Sequence, residues 1–443
     1  MNAGFSSSIL PQLIAAGMAR EQAAARVKLF ESAVDRLRSR DLIRGNPPRA
    51  FYVPGRIEFL GKHTDYAGGR SLICAVDRGF CIVAVARKDR QVRVAGETPV
   101  ADLAFELQPV LIPAAGHWSN YPMTVGRRIA QNFPGPLVGA DIAFTTDLPA
   151  SSGLSSSSAL IISFFLALSA VNRLSDRNEY RSNIHNPPEL AGYLGTIENG
   201  QTFGSLVGDR GVGTFGGSED HTAIVTGVAG QLSQYGFCPV KFERMVPLPA
   251  DHSLVVGVSG VIAEKTGAAQ AAYNNASLAA RAVLDQWRKT SGRNDATLAA
   301  AVARDGAAVR RSLGDAKLVD RFDQFVAEST QIIPAAGDAL LAGRLDQLGL
   351  LVDRSQELAE KLLKNQVPET VCLAKTAREC GAVAASSFGA GFGGSVWAMV
   401  RSDAVEGFIS AWRAGYQSRF PDATRQSSFF PAAAGVAALE IVI

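Results

Sequence analysis

Apolar positions recur with helical spacing over residues 9–40, at Leu10, Leu13 and Ile14 and again at Val27, Leu29, Phe30, Val34 and Leu37. This predicts one or two lead-in helices, ended by the Asn46-Pro47-Pro48 cluster. Short β-rich segments follow at 50–53, 71–75, 79–87 and 92–95, and the near-continuous apolar run in 79–87 reads as a buried strand. A helical pattern covers 117–133, and a strand over 139–145 delivers the chain into a serine-rich turn at 149–158. From there the pattern predicts a helix over 158–174, another from Pro187 to about 201, and a glycine-rich stretch over 204–217.

Pro239, Pro247 and Pro249 mark a change of character. A strand over 253–259, alanine-rich helices between 264 and 364, and strands at 383–386, 395–401 and 438–442 complete the pattern. At 443 residues the chain is too long for one ordinary core. We therefore expect an N-terminal lobe over 1–245 and a C-terminal lobe over 246–443. No internal repeat of fixed period is visible.

Composition narrows the function classes. Hydrophobic residues make up 47% and charged residues 19%, so disorder is not indicated. The 44 basic and 41 acidic residues nearly cancel without long like-charge runs, which gives nucleic-acid or membrane-surface binding no electrostatic support. The apolar run 159–171 is too short to span a bilayer and reads as a core helix. No basic stretch leads into an apolar one at the N-terminus, so no signal peptide is expected. The five cysteines are scattered without a CxxC pair, which fits reduced thiols in a cytoplasmic protein.

Three segments carry chemistry. Between Pro54 and Tyr66 the chain gathers Arg56, Lys62, His63 and Asp65, with Gly55 and Gly61 around them. Charged groups at a glycine-flanked turn contribute little to a core and suit a polyhydroxyl or phosphate ligand. Leu148 to Ala159 places Ser152, Gly153, Leu154, Ser155, Ser156, Ser157 and Ser158 at the start of an apolar helix. Unpaired N–H groups and the helix dipole there favour an anion, and four consecutive serines exceed what capping needs. Gly389, Gly391, Gly393 and Gly394 let backbone pass close to a ligand or another loop.

The first segment resembles the galactokinase signature, with Lys62 where that family carries glutamate. The second resembles the phosphate loop of the GHMP kinases and is neither a Walker A nor a Rossmann loop. The third, Gly-Ala-Gly-Phe-Gly-Gly, resembles that family's third motif, which packs between the nucleotide and sugar loops. Together the matches cover roughly residues 45–440. The resemblance implies a two-lobed α+β fold with a left-handed β-α-β crossover in the N-terminal lobe and an antiparallel sheet with helices in the C-terminal lobe.

The resemblance also implies γ-phosphoryl transfer from ATP to the anomeric hydroxyl of galactose or a closely related sugar. In that scheme Asp220 orients or deprotonates the attacking hydroxyl, and Arg56 stabilises charge on the phosphoryl group. The 152–158 loop holds ATP, with Trp118 near the adenine and Mg²⁺ on Ser157 and Glu198. Gly389, Gly391, Gly393 and Gly394 form the structural loop. Lys62, His63, Asp65, Gly217 and Tyr273 read the sugar. The implied partners are ATP and a small sugar, with no nucleic acid, membrane or partner protein. Lys62 is donor-only and positive, which leaves open a uronic acid or other modified hexose as substrate. A catalytically silent sugar and ATP sensor is the other alternative, against which the intact serine loop, Arg56 and Asp220 stand.

Overall fold

Two β-sheets organise the computed structural model, which describes residues 2–43, 46–96, 102–114, 116–149, 152–261 and 267–442. Ala150 and Ser151 of the expected serine turn, and 264–266 of the expected helical region, lie outside the described residues. In chain order the strands are β1 (Arg49–Leu60), β2 (Arg70–Ala86), β3 (Gln91–Ala95), β4 (Leu103–Glu106), β5 (Ala140–Thr146), β6 (Gln231–Gly236) and β7 (Lys241–Pro247). There follow β8 (His252–Val258), β9 (Ala384–Ser387), β10 (Ser395–Arg401), β11 (Ser428–Ala432) and β12 (Leu439–Ile441).

The first sheet has eight strands in the order β12-β1-β2-β5-β3-β4, with β6 paired to the start of β2 (Arg70–Ile73) and β7 paired to β6. Its β3–β5 pair is parallel, and its other described pairings are antiparallel. The second sheet is antiparallel, β11-β8-β10-β9. The fold is α+β in two lobes. Residue 245 falls within β7, and β12 returns from the chain's end to pair with β1 in the first sheet.

The segments expected at 71–75 and 79–87 are one long strand, β2. It runs through Gly79 because a Cβ there would lie 2.4 Å from the Val53 carbonyl, so only glycine lets β1 and β2 stay this close. The signature segment also differs from the glycine-flanked turn expected of it. β1 continues through Leu60, with register shifts between Pro54 and Arg56 and between Glu58 and Leu60, and the turn begins at Gly61. Between these bulges the strand alternates regularly, so Arg56 and Glu58 point to one face.

The helices Asn2–Ala15 and Arg20–Ser39 are separated near Gly17, which has φ +103°. Their apolar faces (Ile9, Leu13, Phe30, Val34, Leu37) cover Tyr52, Val83 and Val85 on one side of the first sheet. The main core lies on the other side and is continuous between the sheets. Phe59 of β1 stacks on Trp397 of β10 at 4.0 Å, and the indole Nε1 donates to the Phe59 carbonyl at 3.1 Å. Among the described residues no helix is long and apolar enough to cross a membrane.

Candidate active site

The serine-rich turn feeds the helix Ser156–Asn172. Ser155 takes a left-handed conformation (φ +61°), which turns the chain sharply into the helix start. Its hydroxyl is buried and has no hydrogen-bond partner among the described residues. An unpartnered hydroxyl beside the unpaired N–H groups of a helix start makes a cradle suited to an anion. Ser152, Gly153, Ser155, Ser156 and Ser157 line a cleft of about 320 Å³ together with Trp118, Tyr121, Phe388, Gly391 and Gly393. Leu154 is buried in the core beneath it. The indole Nε1 of Trp118 is also buried without a partner among the described residues.

The glycine loop between β9 and β10 closes this cleft from the second lobe. Gly389, Gly391, Gly393 and Gly394 all have positive φ, from +80° to +132°. At Gly391 space is limiting as well, since a Cβ would lie 2.2 Å from the Asn365 carbonyl. Ser395 Oγ donates to the Ser152 carbonyl at 2.5 Å, tying this loop to the serine turn.

An inner pocket adjoins the cleft, lined by Arg56, Glu58, His63, Asp65, Glu198, Gly217, Glu219, Asp220, His221 and Tyr273 among others. Arg56 borders both spaces. Its Nε donates to Asp220 Oδ1 at 2.7 Å, and its Nη1 to the Gly153 carbonyl at 2.5 Å. Asp220 sits in the first turn of the helix Glu219–Thr226, where the helix dipole favours a carboxylate. Ser158 turns its hydroxyl away from the cleft, donating to Glu198 Oε2 at 2.8 Å and Asp220 Oδ2 at 3.3 Å.

The remaining signature residues shape the inner pocket. Asp65 accepts from the Tyr66 and Glu219 amides at 2.8 and 3.0 Å. A Cβ at Gly217 would lie 2.3 Å from Asp65 Oδ2, so glycine is what lets these segments meet. His63 Nε2 faces the Ala390 carbonyl at 3.0 Å and must carry the proton, so Nδ1 accepts from the Tyr66 hydroxyl at 2.9 Å. The His63 and Tyr273 rings lie 5.3 Å apart. Open space here is only about 30 Å³, so admitting a pyranose ring requires these side chains to move.

Lys62 lines neither space. It is 1% exposed, and its Nζ donates to Ser355 Oγ at 3.1 Å and Ser386 Oγ at 2.7 Å, between the lobes. Sequence reasoning missed the acidic groups Glu58 and Glu219. Burial pushes the Glu58 carboxyl up to about 7, against the opposing pull of Lys62 and Arg56. Glu219 is raised well above the carboxylate range by burial and by the neighbouring charges of Glu58 and Asp65. A second charge two residues after Arg56, set between the apolar Ile57 and Phe59, was the available signal for Glu58.

Residues 41–87 match the galactokinase galactose-binding signature, 120–202 the GHMP kinase N-terminal domain and 338–418 the GHMP kinase C-terminal domain. The galactokinase of Chloroflexus aurantiacus is 30% identical over 378 residues, covering 85% of this chain and 90% of that one. That of Chloroflexus aggregans is 29% identical over 380 residues, with the same shares. Among solved structures, Lactococcus lactis galactokinase complexed with galactose matches with a TM-score of 0.77 at 24% identity, over 92% of this chain and 98% of that one.

Proposed function

The chain belongs to the galactokinase family of GHMP kinases, and from that premise we propose that it transfers the γ-phosphoryl group of ATP to the anomeric hydroxyl of galactose or a closely related sugar. The observation that carries this reading is the position of Arg56, which borders both the cleft and the inner pocket with its Nε on Asp220. Phosphoryl transfer needs mainly positioning and neutralisation of charge at the moving group. Arg56 supplies positive charge where the two spaces meet. Asp220 accepts a hydrogen bond from the attacking hydroxyl and takes its proton. The start of the helix Ser156–Asn172, with the Ser155 hydroxyl and the loop amides, holds the phosphates, and Trp118 flanks the base.

Mg²⁺ binds through one or two carboxylates, hydroxyl and phosphate oxygens and water rather than a protein cage, and the oxygen donors Ser157 of the cleft and Glu198 of the adjoining pocket suit it. Ser157 and Glu198 would hold the ion, which neutralises phosphate charge when bound. His63, Asp65, Gly217 and Tyr273 shape the sugar pocket. The free cysteines suit a reducing cytoplasm.

A coupled ADP-release assay with Mg-ATP against galactose, glucose, N-acetylgalactosamine, galacturonate and glucuronate tests the proposal. Turnover of galactose is expected. Binding of both ATP and a sugar with no ADP release on any of the five would instead support a silent sensor.

A further inference from the structure

We infer that Glu58 is a specificity-determining residue whose free carboxylate oxygen accepts a hydrogen bond from a sugar hydroxyl, and that the sugar received is neutral. The inference rests on the kinase reading above and names the substrate class of the same pocket.

Glu58 stands two residues beyond Arg56 on β1 and faces the same side. Its Oε2 accepts from the Gly389 amide at 3.2 Å, which fixes the carboxyl plane between the lobes. Its Oε1 is buried and has no hydrogen-bond partner among the described residues, while the residue lines the inner pocket. A buried acceptor left open is costly unless a donor arrives, and here the donor must come from what enters the pocket.

The other carboxylates around the pocket already have donors. Asp65 takes two backbone amides, Glu219 takes the Ser71 hydroxyl at 2.5 Å, Glu198 takes Ser158, and Asp220 takes Arg56 and Ser158. Lys62 is not placed to read the sugar, because it lines neither space and its ammonium donates to Ser355 and Ser386 outside the pocket. Charge points the same way. Asp65, Glu198 and Asp220 line the pocket as carboxylates beside Glu58 and Glu219, whose carboxyls burial holds protonated to higher pH, and Arg56 is the guanidinium in that lining. A hexuronate would bring another carboxylate into that field, whereas a hydroxyl brings the missing donor.

The test measures kcat/KM by ADP release for galactose, its 2-, 3-, 4- and 6-deoxy analogues and galacturonate, with wild type and Glu58→Gln. In the variant the new side-chain amide must keep its oxygen on the Gly389 N–H, which turns an amide N–H toward the pocket and leaves at most a weaker neutral hydrogen bond to the sugar hydroxyl. One deoxy analogue should lose about 10-fold or more against galactose in wild type, and that loss should shrink to about 2-fold in Glu58→Gln. Galacturonate should not be turned over. Deoxy penalties that persist undiminished in Glu58→Gln would overturn the assignment, as would galacturonate turnover equal to that of galactose. If Glu58→Gln fails to fold, the wild-type series decides alone, since the absence of any deoxy penalty refutes a hydroxyl-reading carboxylate. Wild type inactive on every sugar of the series, galacturonate included, would refute the kinase reading itself, whereas turnover of galacturonate alone would leave that reading standing and overturn this inference.

Discussion

Replacing Lys62 by methionine removes one buried ammonium while keeping an unbranched stem of similar volume. The Nζ donates to Ser355 and Ser386, and Ser355 in turn donates to Glu328 Oε1 at 3.0 Å. Lys62 is also the foremost attractive charge acting on Glu58. Two charge-assisted hydrogen bonds at about 1.5–3 kcal/mol each are lost. Breaking a buried charge cluster by removing one partner costs about 3–5 kcal/mol in all, while the desolvation of the ammonium is no longer required. A net loss of about 4 kcal/mol, set against an unfolding entropy of about 0.9 kcal/mol/K for a chain of this length, lowers Tm by about 4 °C. Differential scanning calorimetry at neutral pH reads this directly. The same variant should still turn over galactose and not galacturonate in an ADP-release assay, because the ammonium lies outside the pocket, although loss of its pull leaves Glu58 protonated to higher pH. An unchanged or raised Tm, or any change of that preference, would refute the account of Lys62 as an interlobe cation.

Ser158→Ala should lower kcat by about 10-fold and raise the Mg²⁺ concentration for half-maximal rate, since Glu198 and Asp220 both lose the hydroxyl that aligns them; a magnesium titration checks it. Gly217→Ala sets a Cβ 2.3 Å from Asp65 Oδ2, an overpacking of about 1–3 kcal/mol, so KM for sugar should rise by about 5- to 100-fold while KM for ATP stays near wild type. Glu58 titrates at about 7 when folded against an ordinary 4.5, so the folded state holds its proton more tightly. Its contribution is therefore fully present below about 4.5 and is lost as pH rises through about 7, a difference on the order of 3 kcal/mol. Lys62, Arg56, Glu328 and Asp220 are the charges acting on it. Wild type should lose stability relative to Glu58→Gln over that window, as seen in urea unfolding at several pH values.

Much of the fold was legible because its elements obey simple periodicities. The lead-in helices, the helix behind the serine turn and the helix from Pro187 carry clear patterns, and the last starts at an Asn186 cap and ends at Gly200 with φ +83°. β7 and β11 escaped notice for physical reasons. β7 is half-exposed and reads as a polar segment (Lys241, Glu243, Arg244), and β11 carries Pro431, which an edge strand tolerates but a pattern reading rejects. The site was legible as three motifs because glycine and serine runs have few purely structural uses. What the sequence could not reveal is direction. Lys62 and His63 are adjacent, yet one turns between the lobes and the other toward the pocket, and Ser157 lines the cleft while the Ser158 hydroxyl bonds Glu198 and Asp220. Side-chain direction at a turn or helix start depends on which element packs behind it, and that is set by residues hundreds of positions away, such as Ser355 and Ser386.

The most direct test of the central claim is ³¹P NMR of wild-type protein with Mg-ATP and galactose, repeated with Asp220→Asn. The account predicts a galactose 1-phosphate resonance growing with ADP in wild type, and a rate about 10²- to 10⁴-fold lower in the variant. Galactose left unphosphorylated by wild type, or an Asp220→Asn variant that phosphorylates it at the full rate, would contradict it.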